Sequence, residues 1–425
     1  MVKHNTPQSV PLLRMTARKV LLLVLDGVSD RPCRELGDRT PLQAARTPVL
    51  DRMTAEGVAG IMDTINPGIR PGSDTSHLSI LGYPPEDCYT GRGPLEAVGT
   101  GIRMDPGMIG FRCNYATIDG AGRVVDRRAG RISHTIPLSS SVQDEVDLSA
   151  FGIAFDLRSG AGHRAALAFR GENLGACISS NDPKKEGMLP PVFSALRDTD
   201  ADRRTAGALN EFVRQANLVL SRHPLNRERE AAGLPMANTL LIRGAGEMGT
   251  FEPFGKRYGL SGSVIAAATL IAGIGTAVGL RHVPVEGATG STDTNLAGKV
   301  GATLAELETR DFVLLNIKGA DEAGHDGLAT LKRDFIERTD AALAPFLDLE
   351  GCLIVICADH STPCAIRDHS ADPVPLVIRG DGVRTDAVLH FDEVSCAQGG
   401  LNRISGRSLM PIICDLINRA KKYGA

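Results

Sequence analysis

Three segments of the chain are unbroken apolar runs that each lead to an aspartate: "KVLLLVLDG" to Asp26, "DFVLLNIKGAD" to Asp321 and "GCLIVICADH" to Asp359. A strand with one face in water alternates apolar and polar residues, whereas an unbroken run suits a parallel strand covered on both faces. Segments of helical periodicity lie between these runs. "RTPLQAARTPVLDRMTAEG" carries a capping box at Thr40 and Gln43, then Thr47 as a second cap with Pro48 in the first helical position. "TLKRDFIERTDAALAPFLD" places Leu331, Phe335 and Ile336 on one stripe. This alternation predicts an α/β fold with an open, mostly parallel sheet flanked by helices.

From about Met108 to Glu252 the pattern changes. Shorter strands ("RAALAFRG", "NTLLIRG") alternate with loops such as "SSNDPKKEGMLPP". One amphipathic helix is marked by Leu209, Phe212, Val213, Ala216, Val219 and Leu220 and ends at Pro224. The expectation is a smaller α+β domain over 108–255, inserted into an α/β unit made of 1–107 and 256–425. A chain of 425 residues exceeds what one hydrophobic core serves, which agrees with two domains.

Composition chiefly excludes. With 47 basic and 50 acidic residues the net charge is -3, so no global field favours nucleic acid or a membrane. Without tryptophan, and with 4% aromatic residues, there is no stacking platform for bases. The 9 cysteines include no C-x-x-C pair and fit reduced thiols in a cytoplasmic protein. The run Val20–Leu25 is too short to span a membrane. "GAGEMG" matches a dinucleotide-binding pattern in form only: Pro253 interrupts the segment that should open a helix, and no acidic residue follows at the ribose position. Ser73 lacks the G-x-S-x-G setting of a serine-hydrolase nucleophile.

Open parallel sheets bind ligands beyond the carboxyl ends of their strands, so Asp26, Asp321 and Asp359 should meet on one rim. His325 stands one helical turn after Asp321, His360 adjoins Asp359, and His369 follows after a loop. Taken singly, each is more simply a helix cap or a hydrogen-bonded side chain. Six together at three similar strand tips predict metal binding, with carboxylate and imidazole donors suited to Mn²⁺, Zn²⁺ or, less comfortably, Mg²⁺. They exceed one tetrahedral sphere, which points to two ions. "PGSDTSHLSILGYPP" then gains a purpose. A helix starting near Ser73 offers N–H groups to a phosphate, and a metal would turn the serine hydroxyl into a nucleophile. Composition does not separate Ser73 from Ser76, but position at the helix start favours Ser73. His77 reads as an orienting residue.

The motifs "LLLVLDGVSD", "PGSDTSHLSILGY", "GRGPLEAVGTGI", "FRCNYAT", "DRRAGRI", "GHRAALAFRG", "GATGSTDTN", "KGADEAGHDG" and "ADHSTPCAIRDHSADPVP" occur in an order that resembles the archaeal-type cofactor-independent phosphoglycerate mutases of the alkaline phosphatase superfamily. The likeness runs from about Lys19 to the C-terminus; residues 1–18 have no counterpart. It implies interconversion of 3- and 2-phosphoglycerate without 2,3-bisphosphoglycerate, through a phosphoserine at Ser73. It also implies one metal site of Asp26, Ser73, Asp359 and His360, and another of Asp321, His325 and His369. The inserted domain would grip the substrate. Its candidates are His163 (acid or binding group), Arg164, Arg170, Asn226 and Arg243, with Asp182 as general acid/base and Lys318 reaching a phosphate oxygen. A phosphomonoesterase or homoserine kinase-like enzyme on the same scaffold is the alternative, and a non-catalytic metal-binding module is the other class. A homo-oligomer stays open.

Overall fold

The computed structural model describes residues 19–422 and Gly424; residues 1–18 lie outside the described residues. Its larger sheet has eight strands in the spatial order Asn402–Ser405, Gly57–Asp63, Val374–Arg379, Cys352–Cys357, Lys19–Leu25, Phe312–Ile317, Gly262–Ile265, Arg281–His282. Only Val374–Arg379 runs against its neighbours; every other pairing in this sheet is parallel. The three apolar runs are the three central neighbours. Val20 to Val24 are fully buried, as apolar residues on both faces require.

Register explains why distant aspartates meet. Leu25 pairs with Ile317 and Val24 with Cys357, so the three strands end almost level. Asp26, the Lys318–Asp321 turn and Asp359 therefore emerge on the same edge. The turn after Asp26 needs glycine. Gly27 has φ +64, and a Cβ there would lie 2.6 Å from the Asp321 Cβ.

A second, antiparallel sheet is built on Ile109–Ile118, which pairs with Val124–Asp126, Arg164–Arg170 and Thr239–Gly246; Ala154–Ser159 pairs with Arg164–Arg170. The helix Asp200–Arg222 covers it, burying Leu209, Phe212, Ala216 and Leu220 completely. The apolar residues form two large clusters. One is drawn from 20–95 and 254–417, the other from 109–242. The helix Arg92–Gly99 leaves the first sheet for the second and packs on Thr269–Ala277 through Gly99 and Gly273, where a Cβ would sit 1.9 Å from a backbone oxygen.

Two local expectations are corrected. The Thr40–Gln43 box forms in both directions, but Thr47 does not cap with its side chain. Asp340, from the helix Ala329–Ala342, takes the N–H groups of Val49 and Leu50 instead. Leu331 lies 37% exposed, off the buried stripe of Phe335 and Ile336.

Candidate metal and phosphoryl-transfer centre

Ser73 is the first residue of the helix Ser73–Ile80. Its Oγ lies 3.1 Å from His360 Nε2. The Ser76 hydroxyl is spent on the Gly72 carbonyl at 2.8 Å, which separates the two serines. Ligand atoms of Asp26, Asp359 and His360 lie within 4.8 Å of one another, and so do those of Asp321, His360 and His369. The His325 Nε2 is 3.4 Å from Asp321 Oδ1 and the His369 Nε2 is 3.6 Å from the same atom. The structure brings the seven sequence-proposed donors to one rim, with His360 between the two groups.

The imidazoles are oriented as ligands. His325 Nδ1 donates to the Arg367 carbonyl and His369 Nδ1 to the Pro71 carbonyl. His360 Nδ1 donates to Thr362 Oγ1, whose own proton goes to Asp321 Oδ1 at 2.8 Å. Each Nδ1 is thereby fixed as the protonated nitrogen, leaving an Nε2 lone pair toward the carboxylates. Burial pushes the His369 imidazole down to about 4, so it stays neutral. The Asp359 Oδ2 is buried with no hydrogen-bond donor, 3.1 Å from His360 Nε2. An orphaned carboxylate oxygen, three crowded buried carboxylates and three aligned lone pairs fit divalent cations.

Charge is otherwise balanced by Lys318. Its Nζ bridges Asp26 Oδ1 at 2.8 Å and Asp321 Oδ2 at 2.7 Å. Burial pushes this ammonium down, but Asp26 and Asp321 outweigh it and the net shift is upward. Burial and then Asp359 push the Asp26 carboxyl up. Asn316, a polar residue inside an apolar strand, donates to Asp26 Oδ2 at 3.0 Å and contacts His77 Nε2. His77 donates to the Ser73 carbonyl at 2.7 Å, so it orients the helix end.

The candidates on the second sheet divide. Burial and then Arg164 push the His163 imidazole down to about 3, so it is a neutral hydrogen-bonding group and not a proton donor near neutral pH. Arg243 and Arg127 both engage Asp182. Burial pushes the Asp182 carboxyl up, but the Arg127 hydrogen bond, the Lys184 N–H and Arg243 outweigh it and hold it low. Both oxygens are occupied by Arg127, Arg243 and the Lys184 N–H, so Asp182 here orients two guanidinium groups. Asn226 is fully buried, and its side chain pairs with the Leu220 carbonyl and with both polar groups of the Ala237 backbone. It is structural, not substrate-binding. Arg170 ends its strand six residues beyond Arg164, about 20 Å away at the rise of a strand, and pairs with Asp156 at the exposed edge. It too leaves the site.

Residues 18–416 match the metalloenzyme superfamily. A 2,3-bisphosphoglycerate-independent phosphoglycerate mutase of Methanoculleus marisnigri is 65% identical over 411 residues, covering 97% of this chain and all of that protein. One from Archaeoglobus fulgidus is 50% identical over 414 residues, again over its full length and 96% of this chain. The chain belongs to this mutase family. Among solved structures, a Pyrococcus horikoshii protein superposes with a TM-score of 0.81 at 36% identity over 96% of this chain and all of its own. A cofactor-independent phosphoglycerate mutase from Thermoplasma acidophilum gives 0.65 at 36% identity over 94% and 100%.

Sequence reasoning missed several residues of the centre. Asn316 was visible as the polar break in "VLLNI", and Thr362 as the hydroxyl after "DHS". Lys332 was not visible: it is a fully buried lysine that donates to Ser29 O, Thr362 O and Asp30 Oδ2, tying the Asp26 loop to the Asp359 loop. A lysine on a helix reads as a solvated charge until the fold is known.

Proposed function

We propose that the chain interconverts 3-phosphoglycerate and 2-phosphoglycerate by two transfers through phosphorylated Ser73, without added 2,3-bisphosphoglycerate. The observation that carries this is the Ser73 hydroxyl at a helix N-terminus, 3.1 Å from His360 Nε2, which itself lies 3.1 Å from Asp359 and 3.9 Å from Asp26. Asp26, Ser73, Asp359 and His360 would hold one divalent ion and Asp321, His325 and His369 a second, Mn²⁺ first, with Zn²⁺ or Mg²⁺ as alternatives. Bound there, the ions supply alkoxide stabilisation and polarise the phosphoryl oxygens.

In the first transfer the Ser73 Oγ–P bond forms as the P–O bond to the glycerate 3-oxygen breaks, and the proton lost from the serine hydroxyl ends on that 3-oxygen. In the second, the glycerate 2-hydroxyl gives up its proton as its oxygen attacks phosphorus, and Ser73 Oγ leaves and is reprotonated. Lys318 lies where its ammonium can meet a phosphoryl oxygen between the two ligand groups. The unit built on the second sheet, 108–255, is read as the substrate-gripping insert, with His163, Arg164 and Arg243 as its contacts. By closing over the centre it keeps water from the phosphoserine.

The test is direct. With Mn²⁺ and 3-phosphoglycerate, purified protein should form 2-phosphoglycerate, and Ser73→Ala should abolish turnover while retaining bound metal. Release of inorganic phosphate without 2-phosphoglycerate would assign a phosphomonoesterase instead.

A further inference from the structure

Two loops leave the larger sheet side by side next to Ser73. Gly57–Asp63 and Val374–Arg379 are antiparallel neighbours, with Met62 opposite Val374. The chain leaving the first strand, 64–72, therefore runs beside the chain entering the second, 366–373. The former leads straight into the helix Ser73–Ile80, and the latter carries His369. Two reciprocal contacts join them. His369 Nδ1 donates to the Pro71 carbonyl at 2.8 Å. The Arg70 guanidinium donates back to the His369 carbonyl, through Nε at 2.8 Å and also through Nη2. The same Nη2 stands 3.3 Å from Asp368 Oδ2.

The ion pair with Asp368 is exposed on both sides and contributes little by itself. The backbone contact is different in kind. Two N–H groups of one rigid guanidinium on one carbonyl fix direction as well as distance. The position of that carbonyl sets where the His369 side chain hangs. The imidazole is thus held from three sides: its backbone by Arg70, its Nδ1 by Pro71, and its ring face by His360, with 3.5 Å between ring centroids. Only Nε2 is left, 3.6 Å from Asp321 Oδ1 in the second donor group. Pro71 lies two residues before Ser73 and has a fixed φ, so the short segment between them transmits the contact with little slack.

Resting on the two-ion mutase reading, we propose that Arg70 is a positioning residue: it clamps the segment before Ser73 to His369, so that the nucleophilic hydroxyl and an imidazole donor of the second ion keep one spacing. Ser73 belongs to one donor group and His369 to the other, and the phosphoryl group must be reached from both. A misplacement of about 1 Å in such an arrangement costs about a hundredfold in rate. The Arg70 side chain is 55% exposed, so its removal strands no buried charge. The consequence falls on metal binding and turnover and not on folding.

Mn²⁺ titration of the full chain, followed by electron paramagnetic resonance, tests this with Arg70→Met and, as a control, Asp368→Asn. The wild type should bind two ions. Arg70→Met should weaken one of them about tenfold or more, leave the other within twofold, and leave the thermal midpoint of the chelated protein unchanged. At saturating Mn²⁺ its kcat for 3-phosphoglycerate should fall at least about tenfold with KM little changed. Asp368→Asn removes the exposed ion pair but keeps the carbonyl clamp, and should match the wild type in both measurements. Wild-type affinity at both sites in Arg70→Met, an equal loss at both, or the same loss in Asp368→Asn overturns the proposal. So does a wild-type chain that binds a single ion. A chain with two Mn²⁺ sites, one of them weakened in Arg70→Met, that nonetheless forms no 2-phosphoglycerate overturns the mutase reading and leaves the clamp standing.

Discussion

Residue identity and residue role come apart most clearly at Asn226 and Ser73. In the sequence both are small polar side chains in suggestive motifs. Ser73 has its hydroxyl facing His360, whereas Asn226 points into the hydrophobic cluster and spends its amide on backbone groups. Asn226→Ala would leave the Ala237 carbonyl and N–H unpaired in the interior, while the Leu220 carbonyl keeps the His223 N–H, at about 1–3 kcal/mol for each group left unsatisfied. The expected result is a thermal midpoint lower by several degrees, with KM for 3-phosphoglycerate unchanged in the folded protein. A raised KM at an unaltered midpoint would restore the binding role. The aspartates and histidines of the rim were legible as a set because each followed a strand or stood one turn from such a residue. Asn226, Arg170 and Asp182 were not, since nothing in a linear motif states which way a side chain points.

At the level of elements, the legible part is the central parallel trio, whose apolar runs are written without interruption. What holds its loops is less visible. Lys332 on the Ala329–Ala342 helix reaches beneath two of them: its Nζ is 2.9 Å from Asp30 Oδ2 and 3.0 Å from the Thr362 carbonyl. Thr362 in turn fixes His360 and Asp321. Lys332→Met would strand the buried Asp30 charge, which costs about 3–5 kcal/mol when one partner of such a pair is removed. It should also lower Mn²⁺ affinity by about 10–100-fold, the usual effect of losing an outer support of metal ligands. Titration of Mn²⁺ monitored by electron paramagnetic resonance, at a temperature where the variant is folded, checks this; wild-type affinity would remove Lys332 from the support of the centre.

For the whole molecule, the rim proposed to hold ions gathers like charge in the metal-free fold, because Asp26, Asp321 and Asp359 are buried together and Lys318 bridges only the first two. Ions that bind the native state alone should stabilise it by about 2.7 kcal/mol at a hundredfold excess over Kd. Chelation should therefore lower the thermal midpoint by several degrees and abolish turnover together, and a midpoint indifferent to chelation would argue against ions at this rim. No helix among the described residues is long and apolar enough to cross a membrane. By itself the sequence determined the strand runs, the helix that begins at Ser73, the inserted region of different texture and the donors at the strand tips. Those are local facts, set by periodicity, caps and chain order. Tertiary structure alone decided that Ser73 and not Ser76 faces His360, that Asp182 is consumed by two arginines, and that Arg112 stands opposite Arg243. Register across neighbouring strands and the competition for each buried hydrogen bond depend on residues far apart in the chain, and no local pattern encodes them.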